Sequence, residues 1–262
     1  MTMAIPTLDP EAPTAAALDA LAGGEPFIAI DGLHAGYGRM EILHGIDLRL
    51  ARGKSLCLIG PNGAGKSTVL HSVFGFTRIT GGTIRVGGKD VTRLAPAAKL
   101  SGARIAYILQ DSSVFPDMTV EENLWMGGYR MDRTAAARAA ADRIFDKYPR
   151  LAQRRRTRAG ALSGGERRLL EISRALVMDP EVLLVDEPSI GLEPRFIEEV
   201  FEILADLKAR EGKTVLMVEQ NARKGLEFAD VGYVLVAGRV ARAGTGRALL
   251  EDPEVGRLFL GG

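Results

Sequence analysis

Three short stretches of this 262-residue chain carry residue types that do chemistry at useful spacings. Gly60-Pro61-Asn62-Gly63-Ala64-Gly65-Lys66-Ser67-Thr68 fits the pattern G-x-x-x-x-G-K-[ST] of a phosphate-binding loop and predicts a nucleoside triphosphate site. Its glycines let the backbone turn sharply, so that successive N–H groups and the positive end of a following helix converge on phosphate oxygens. Lys66 can neutralise the β- and γ-phosphates, and the Ser67 hydroxyl suits Mg²⁺, which prefers oxygen ligands. Asp186 and Glu187 form an adjacent acid pair with separable tasks. Asp186 is suited to the magnesium shell, and Glu187 to taking a proton from an attacking water, a role typically worth ~10²–10⁴ in rate. Ser163-Gly164-Gly165-Glu166 is a second turn whose N–H groups can hold a γ-phosphate if it opens a helix.

The elements around these stretches are those the chemistry requires. Ser55 to Ile59 reads as a short apolar strand before the glycine loop, and Ser67 to Phe74 as a helix that Gly75 ends. Val182 to Val185 reads as a buried parallel-type strand whose end presents Asp186 and Glu187, where α/β sheets place ligands. A long helix, Arg167 to Asp179, follows the Ser-Gly-Gly turn and is closed by Pro180.

Composition bounds the rest. Lys and Arg number 34 against 33 Asp and Glu, a net charge of +1, so the global basic field expected of a nucleic-acid binder is missing. Hydrophobic residues make up 46%, ample for a core. No apolar run approaches the ~18 residues of a membrane span. The start of the chain, with Asp9 and Glu11, carries no secretory pattern. Cys57, the single cysteine, lies in the apolar strand and reads as a buried thiol suited to the reducing cytosol.

Residues 1–25 are rich in Ala, Pro and Gly, with a possible short helix at Thr14 to Leu21, and are expected to be a mobile extension. From Phe27 two alternating segments joined through Gly38 and Arg39 predict an antiparallel pair. Tyr37 in that connection either stacks on a nucleobase or is a surface turn tyrosine. GGTIRVGGKDV predicts further strand, and RIAYILQ an apolar strand ending in Gln110. From Thr119 to Pro149 the pattern is helical, opened by a Thr119/Glu122 capping box and with Ile144 and Phe145 at core spacing. The run Arg154, Arg155, Arg156 and Arg158 reads as a solvated helix end. A strand (GRVARAG) and a last helix near Gly246 to Glu251 complete the pattern.

GPNGAGKST, Gln110, LSGGE and VLLVDEP, in that order, resemble the ATP-binding subunit of ATP-binding cassette (ABC) transporters from about Phe27 onward. The resemblance implies an α/β P-loop NTPase fold: a RecA-like core, an antiparallel β subdomain and an inserted helical subdomain at about 112–178. It also implies a head-to-tail dimer that sandwiches ATP and Mg²⁺ between the Gly60–Thr68 loop of one protomer and the Ser163–Glu166 turn of the other. By the same resemblance Tyr37 is the adenine-stacking aromatic, Gln110 the lid glutamine that senses Mg²⁺, and Ser189 to Glu193 the dimer-contact loop. Integral-membrane permease subunits are the implied partners, with the chain on the cytoplasmic face of the membrane and no direct contact with cargo. Phe115, Met118, Trp125, Met126 and Tyr129 are candidates for a groove that receives a permease helix, with some of them core instead.

Two departures stand out. The loop after Glu187 reads Ser189-Ile190-Gly191-Leu192-Glu193 where the family has Ser-Ala-Leu-Asp, and Gln220 stands where most members carry the switch histidine. His34, His44 and His71 all lie far upstream, so no local substitute is expected and Glu187 carries the base role alone. A neutral hydrogen bond from Gln220 is worth ~0.5–1.5 kcal/mol against ~1.5–3 for a charged one, which implies a loss of about tenfold. VEQN, the SIGLEP loop and VFPDMTVEENL look like one of the two ATPase subunits of branched-chain amino acid importers. Glu166-Arg167-Arg168 instead resembles the ATPase of lipopolysaccharide export. A soluble ABC ATPase acting on nucleic acid is the reading from another class, disfavoured by the balanced charge and by the lack of a coiled coil or a tandem cassette. A regulator with a dead site is disfavoured by intact Lys66, Asp186 and Glu187.

Overall fold

The computed structural model describes residues 13–110, 113–131 and 133–260. It opens with helix α1 (Ala15–Leu21), strands β1 (Pro26–Tyr37), β2 (Met40–Ala51) and β3 (Ser55–Ile59), and helix α2 (Lys66–Phe74). Strands β4 (Arg78–Val86) and β5 (Lys89–Asp90), helix α3 (Pro96–Ser101) and strand β6 (Ile105–Ile108) follow. Helices α4 (Val120–Gly127), α5 (Thr134–Lys147), α6 (Pro149–Gln153) and α7 (Gly164–Leu176) then run without an intervening strand. The chain returns through β7 (Val182–Asp186), α8 (Pro194–Glu211), β8 (Thr214–Val218), α9 (Ala222–Phe228), β9 (Val231–Val236) and β10 (Arg239–Thr245) to α10 (Gly246–Glu251) and α11 (Pro253–Phe259).

A six-stranded sheet in the order β10-β9-β3-β8-β7-β6 forms the centre, parallel except for β10. Strands β3, β7 and β8 are buried along their whole lengths, which is why they read as unbroken apolar runs rather than as alternations. Alternation survives in where the side chains go. Leu56, Leu58, Leu184 and Leu216 join α2 and the β1–β2 pair in one cluster, while Cys57, Ile59, Leu183 and Met217 join α7, α8 and α9 in the other. Each fully buried aliphatic side chain contributes about 1.5–3 kcal/mol. Strand β8 separates β3 from β7, and α2 packs over both β7 and β8, so the first turn of α2 lies beside the end of β7.

A smaller antiparallel sheet, β2-β1-β4-β5, contains the expected hairpin with its Gly38-Arg39 turn. The Thr119/Glu122 capping box opens α4, and Ile144 and Phe145 of α5 are buried as their spacing predicts. The arginine run is tied to the protein's own acids: Arg155 to Glu121 and Asp142, and Arg154 to Glu166.

Three expectations need correction. Residues 13–25 are docked, because Leu18 is only 1% exposed and Asp19 accepts a hydrogen bond from Arg49 at 2.9 Å; residues 1–12 of the expected mobile extension lie outside the described residues. Helix α7 begins at Gly164 rather than Arg167, because Ser163 caps it, and it ends at Leu176. Helix α11 adds a turn-capped segment that the sequence reading did not foresee; Asp252 caps it and Val255 is buried. Residue 112, the expected start of the helical block, is also outside the described residues.

Candidate functional site

The loop between β3 and α2 folds as its glycines require. Gly60 takes φ +144° with Leu235 O so close that any Cβ would collide with it, and Gly65 takes φ +97° with Leu43 Cδ2 only 2.8 Å from where a Cβ would stand. Gly63, at φ +80°, faces open space. The loop is pinned from outside by Gly238 N–H, which donates to Ala64 O at 3.0 Å, and inside by Ala64 N–H to Pro61 O at 3.2 Å. Asn62 lies exposed on its rim. Lys66 Nζ donates to Gly60 O at 2.8 Å and Pro61 O at 3.0 Å, so its ammonium is held over the loop. Burial pushes Lys66 down from the ordinary lysine range, partly offset by the charges of Glu187 and Asp186. Thr68 is buried in the first turn of α2, and its carbonyl accepts from Ser72 Oγ at 2.7 Å.

Asp186 closes β7 with 5% exposure, and both of its oxygens are taken. Ser67 Oγ donates to Oδ1 at 3.0 Å and Tyr107 Oη to Oδ2 at 2.7 Å. Burial, then the Asp186 charge, pushes the Tyr107 phenol well above its usual range, so it stays a donor. The sequence reading missed Tyr107. The available signal was a tyrosine near the C-terminal end of a strand that ends in Gln110, on the edge where α/β sheets bind ligands. Glu187 sits at φ +44°, a left-handed conformation that costs a non-glycine residue of order 1–3 kcal/mol and recurs at functional sites. The turn is held by Glu187 N–H donating to Val218 O at 2.8 Å, and the Glu187 carboxylate accepts from Gln110 Nε2 at 3.1 Å.

Ser163 and Glu166 form a reciprocal capping box: Ser163 Oγ accepts from Glu166 N–H at 3.3 Å, and Glu166 Oε2 accepts from Ser163 N–H at 3.0 Å. Glu166 also pairs with Arg154, and hydrogen bonds from the Ser163 backbone hold its carboxyl below the usual range. The Glu166 carboxylate therefore shapes the turn that presents the Gly164 and Gly165 N–H groups. Gly164 and Gly165 pack on Leu192 and Phe196, with Phe196 filling the space a Gly165 Cβ would need. One turn later Arg168, 4% exposed, donates from Nη1 to Leu109 O and to Glu171 Oε2, both at 2.8 Å, while Glu171 Oε1 accepts from Ser113 N–H at 3.2 Å. Helix α7 is thereby tied to both sides of the segment that carries Gln110.

Tyr37 is 44% exposed at the end of β1, and its hydroxyl is hydrogen-bonded to His71 Nδ1. His71 lies one turn beyond Ser67 on α2, with its ring 5.7 Å from that of Tyr107, and burial lowers its basicity. His71, upstream in the chain, thus lies beside the nucleotide loop, with its hydrogen bond to Tyr37 and not to Gln220. Gln220 is exposed just past β8. Its backbone neighbours are held by Glu219, a second residue the sequence reading passed over. That carboxylate, 2% exposed, accepts from Ser189 Oγ at 2.8 Å, Ser189 N–H at 3.3 Å and Asn221 N–H at 2.8 Å.

Beside Tyr107, the exposed Phe115, Met126 and Tyr129 line a groove with Glu171 and Arg174. Trp125 packs against the core. Among the described residues no helix is long and apolar enough to cross a membrane.

Residues 43–190 match the family model described as ABC transporter. A high-affinity branched-chain amino acid transport ATP-binding protein, BraG of Pseudomonas aeruginosa, is 42% identical over 90% of this chain and 100% of its own length. The lipopolysaccharide export system ATP-binding protein LptB of Haemophilus influenzae is 33% identical over 89% of this chain and 97% of its own. An ATP-binding cassette of an ABC transporter solved in its ADP conformation superposes with a TM-score of 0.80 at 27% identity, over 91% of this chain and 100% of that one. With the phosphate loop, the acid pair and the capped Ser-Gly-Gly turn all on this scaffold, the chain belongs to the ABC transporter family as one of its ATP-binding, ATP-hydrolysing subunits, and resembles those of branched-chain amino acid transport.

Proposed function

We propose that this chain is the motor subunit of an importer of branched-chain or related amino acids, working at the cytoplasmic face of the membrane with permease subunits and a second ATPase protomer. The observation that carries the reading is the convergence of Lys66, Ser67, Asp186, Glu187 and Gln110 at one edge of the central sheet. Identity to BraG supports the substrate class.

In this reading the Gly60–Thr68 N–H groups and Lys66 hold the ATP phosphates, and Tyr37 stacks on the adenine. The Ser67 hydroxyl, the Asp186 carboxylate and the Gln110 amide are the hard oxygen donors that Mg²⁺ selects, so the residues fit that ion, whose charge would offset that of the phosphates. Glu187 accepts the proton of the attacking water, and Gln110 orients it by donating to its carboxylate. Gln220 supplies a neutral donor to the γ-phosphate. The Gly164 and Gly165 N–H groups and the Ser163 hydroxyl grip the phosphate of the opposite protomer, since within one chain this turn packs on Leu192 and Phe196. ATP closes this head-to-tail dimer and hydrolysis reopens it. The helical subdomain, about 112–178, receives a permease helix in the Phe115–Met126–Tyr129 groove, and neither cargo nor nucleic acid touches this subunit.

Affinity purification from native membranes followed by mass spectrometry tests the assignment. Two permeases, a second related ATPase and an amino-acid-binding protein are expected. Recovery with lipopolysaccharide-export components would favour the reading that Glu166-Arg167-Arg168 and the LptB identity support. Recovery with ribosomes or DNA alone would remove the transport claim. Glu187→Gln is expected to trap an ATP-bound dimer with turnover reduced ~10²–10⁴-fold. Normal turnover in that variant would contradict the assignment of the base.

A further inference from the structure

The β1–β2 hairpin carries a cluster that the nucleotide chemistry does not use. His34 on β1 and His44 on β2 are direct partners across the antiparallel ladder, and Glu41 stands opposite Gly36. Their ligand-type atoms all lie within 4.8 Å of one another, the one such cluster of His, Cys, Asp and Glu among the described residues. The Nδ1 atoms of His34 and His44 lie 2.9 and 3.1 Å from the same atom, Glu41 Oε1. An ion bound at ~2.0–2.2 Å with tetrahedral angles sets its donor atoms about 3.3 Å apart, within a few tenths of an ångström of that spacing.

We propose that His34, Glu41 and His44 form a binding site for a divalent transition metal of the Zn²⁺ class on the antiparallel β sheet.

The chemistry selects the class of ion. Two imidazole nitrogens, one carboxylate oxygen and a position open to water suit Zn²⁺, Co²⁺ or Ni²⁺, whereas Mg²⁺ and Ca²⁺ take oxygen donors. The surroundings are those of a supported site. Thr80 Oγ1 donates to the other Glu41 oxygen, Oε2, at 3.2 Å and so orients the carboxylate from outside. The rings are walled by bare backbone: a Cβ on Gly238 would stand 2.8 Å from His44 Cδ2, and one on Gly45 3.5 Å from His34 Nε2. The three side chains are 36–43% exposed, which leaves an entry path and a free coordination position. A bound ion ties β1 to β2 three residues before Tyr37.

The test uses the full chain, stripped with a chelator and free of nucleotide and magnesium, titrated with ZnCl₂ in a calorimeter. One equivalent per chain is expected, with affinity lost by more than the ~10–100-fold typical of removing an outer-shell partner in H34Q/H44Q and in E41Q. Asp186→Asn, which alters the nucleotide site, should leave the zinc isotherm unchanged. In the unaltered protein, long-range ¹H–¹⁵N NMR should show the imidazole signals of His34 and His44 moving over the first equivalent while those of His71 stay still. Absence of a one-to-one isotherm, equal affinity in folded H34Q/H44Q, or movement of His71 alone would overturn the proposal.

Discussion

Replacing Arg168 and Glu171 separately and together tests whether helix α7 holds the Gln110 segment through a buried ion pair. Both side chains are 5% exposed, and Arg168 Nη1 bridges Glu171 Oε2 and Leu109 O at 2.8 Å. Removing one member of such a pair leaves an uncompensated charge and costs about 3–5 kcal/mol. The two members are not equivalent. Arg168 Nε and Nη2 are buried without hydrogen-bond partners, each an expense of ~1–3 kcal/mol that disappears with the arginine. Arg168→Met should therefore cost at most about 3 kcal/mol, and Glu171→Met, which leaves the guanidinium charge with only Leu109 O, the full ~3–5. The double methionine variant removes both charges and both orphans, and should lie within about 1 kcal/mol of wild type or above it. Urea titration of the nucleotide-free protein reads all four states. ATPase rates read the consequence for the lid, because the double variant keeps its stability yet releases Leu109 O and Ser113 N–H, so its turnover should fall. Additive losses, or Arg168→Met costing more than Glu171→Met, would refute the reasoning.

Tyr107→Phe removes the donor to Asp186 Oδ2, a charged hydrogen bond worth ~1.5–3 kcal/mol, so kcat/KM for MgATP should fall by about tenfold or more; an unchanged value would show that Ser67 alone orients Asp186. Asp230 is lowered from the ordinary aspartate range because the Ser55 N–H and hydroxyl and Lys208 outweigh its burial. A depressed carboxyl stabilises the fold above its unfolded pKa and loses that contribution as pH falls through the folded value. Asp230→Asn should thus cost about 1–2 kcal/mol at neutral pH, discounted for partial solvation, with the gap in melting temperature closing below about pH 4. A gap that persists in acid would assign the effect to packing instead.

The parts of the site that depend on local chemistry were readable in the chain. Gly60 and Gly65 advertise a backbone no other residue can take, and the apolar runs of β3 and β7 mark strands buried on both faces. What stayed hidden depends on the third dimension. Tyr107 and Asp186 are remote in sequence, and only the pairing of β6 with β7 brings a phenol onto the carboxylate. Leu18 looks no different from any leucine of a mobile segment, and its burial comes from joining the cluster beneath β1 and β2, distant in the chain. His71 is 34 residues from Tyr37 in the chain, and α2 carries its ring back onto that hydroxyl.

In the proposed function Gln220 reaches the γ-phosphate from a stretch of backbone that Glu219 holds. The carboxylate gathers Ser189 Oγ, Ser189 N–H and Asn221 N–H, so the end of β8 and the loop that follows Glu187 form one unit. A side chain projecting from a backbone fixed on both sides needs no charge of its own to find its direction. A histidine at that position adds a charge, and with it the difference between a neutral and a charged hydrogen bond. That difference is about 1–1.5 kcal/mol, roughly a factor of ten. In the proposed function the proton of the attacking water is left to Glu187, whose strained turn is pinned to the same strand by its N–H to Val218 O.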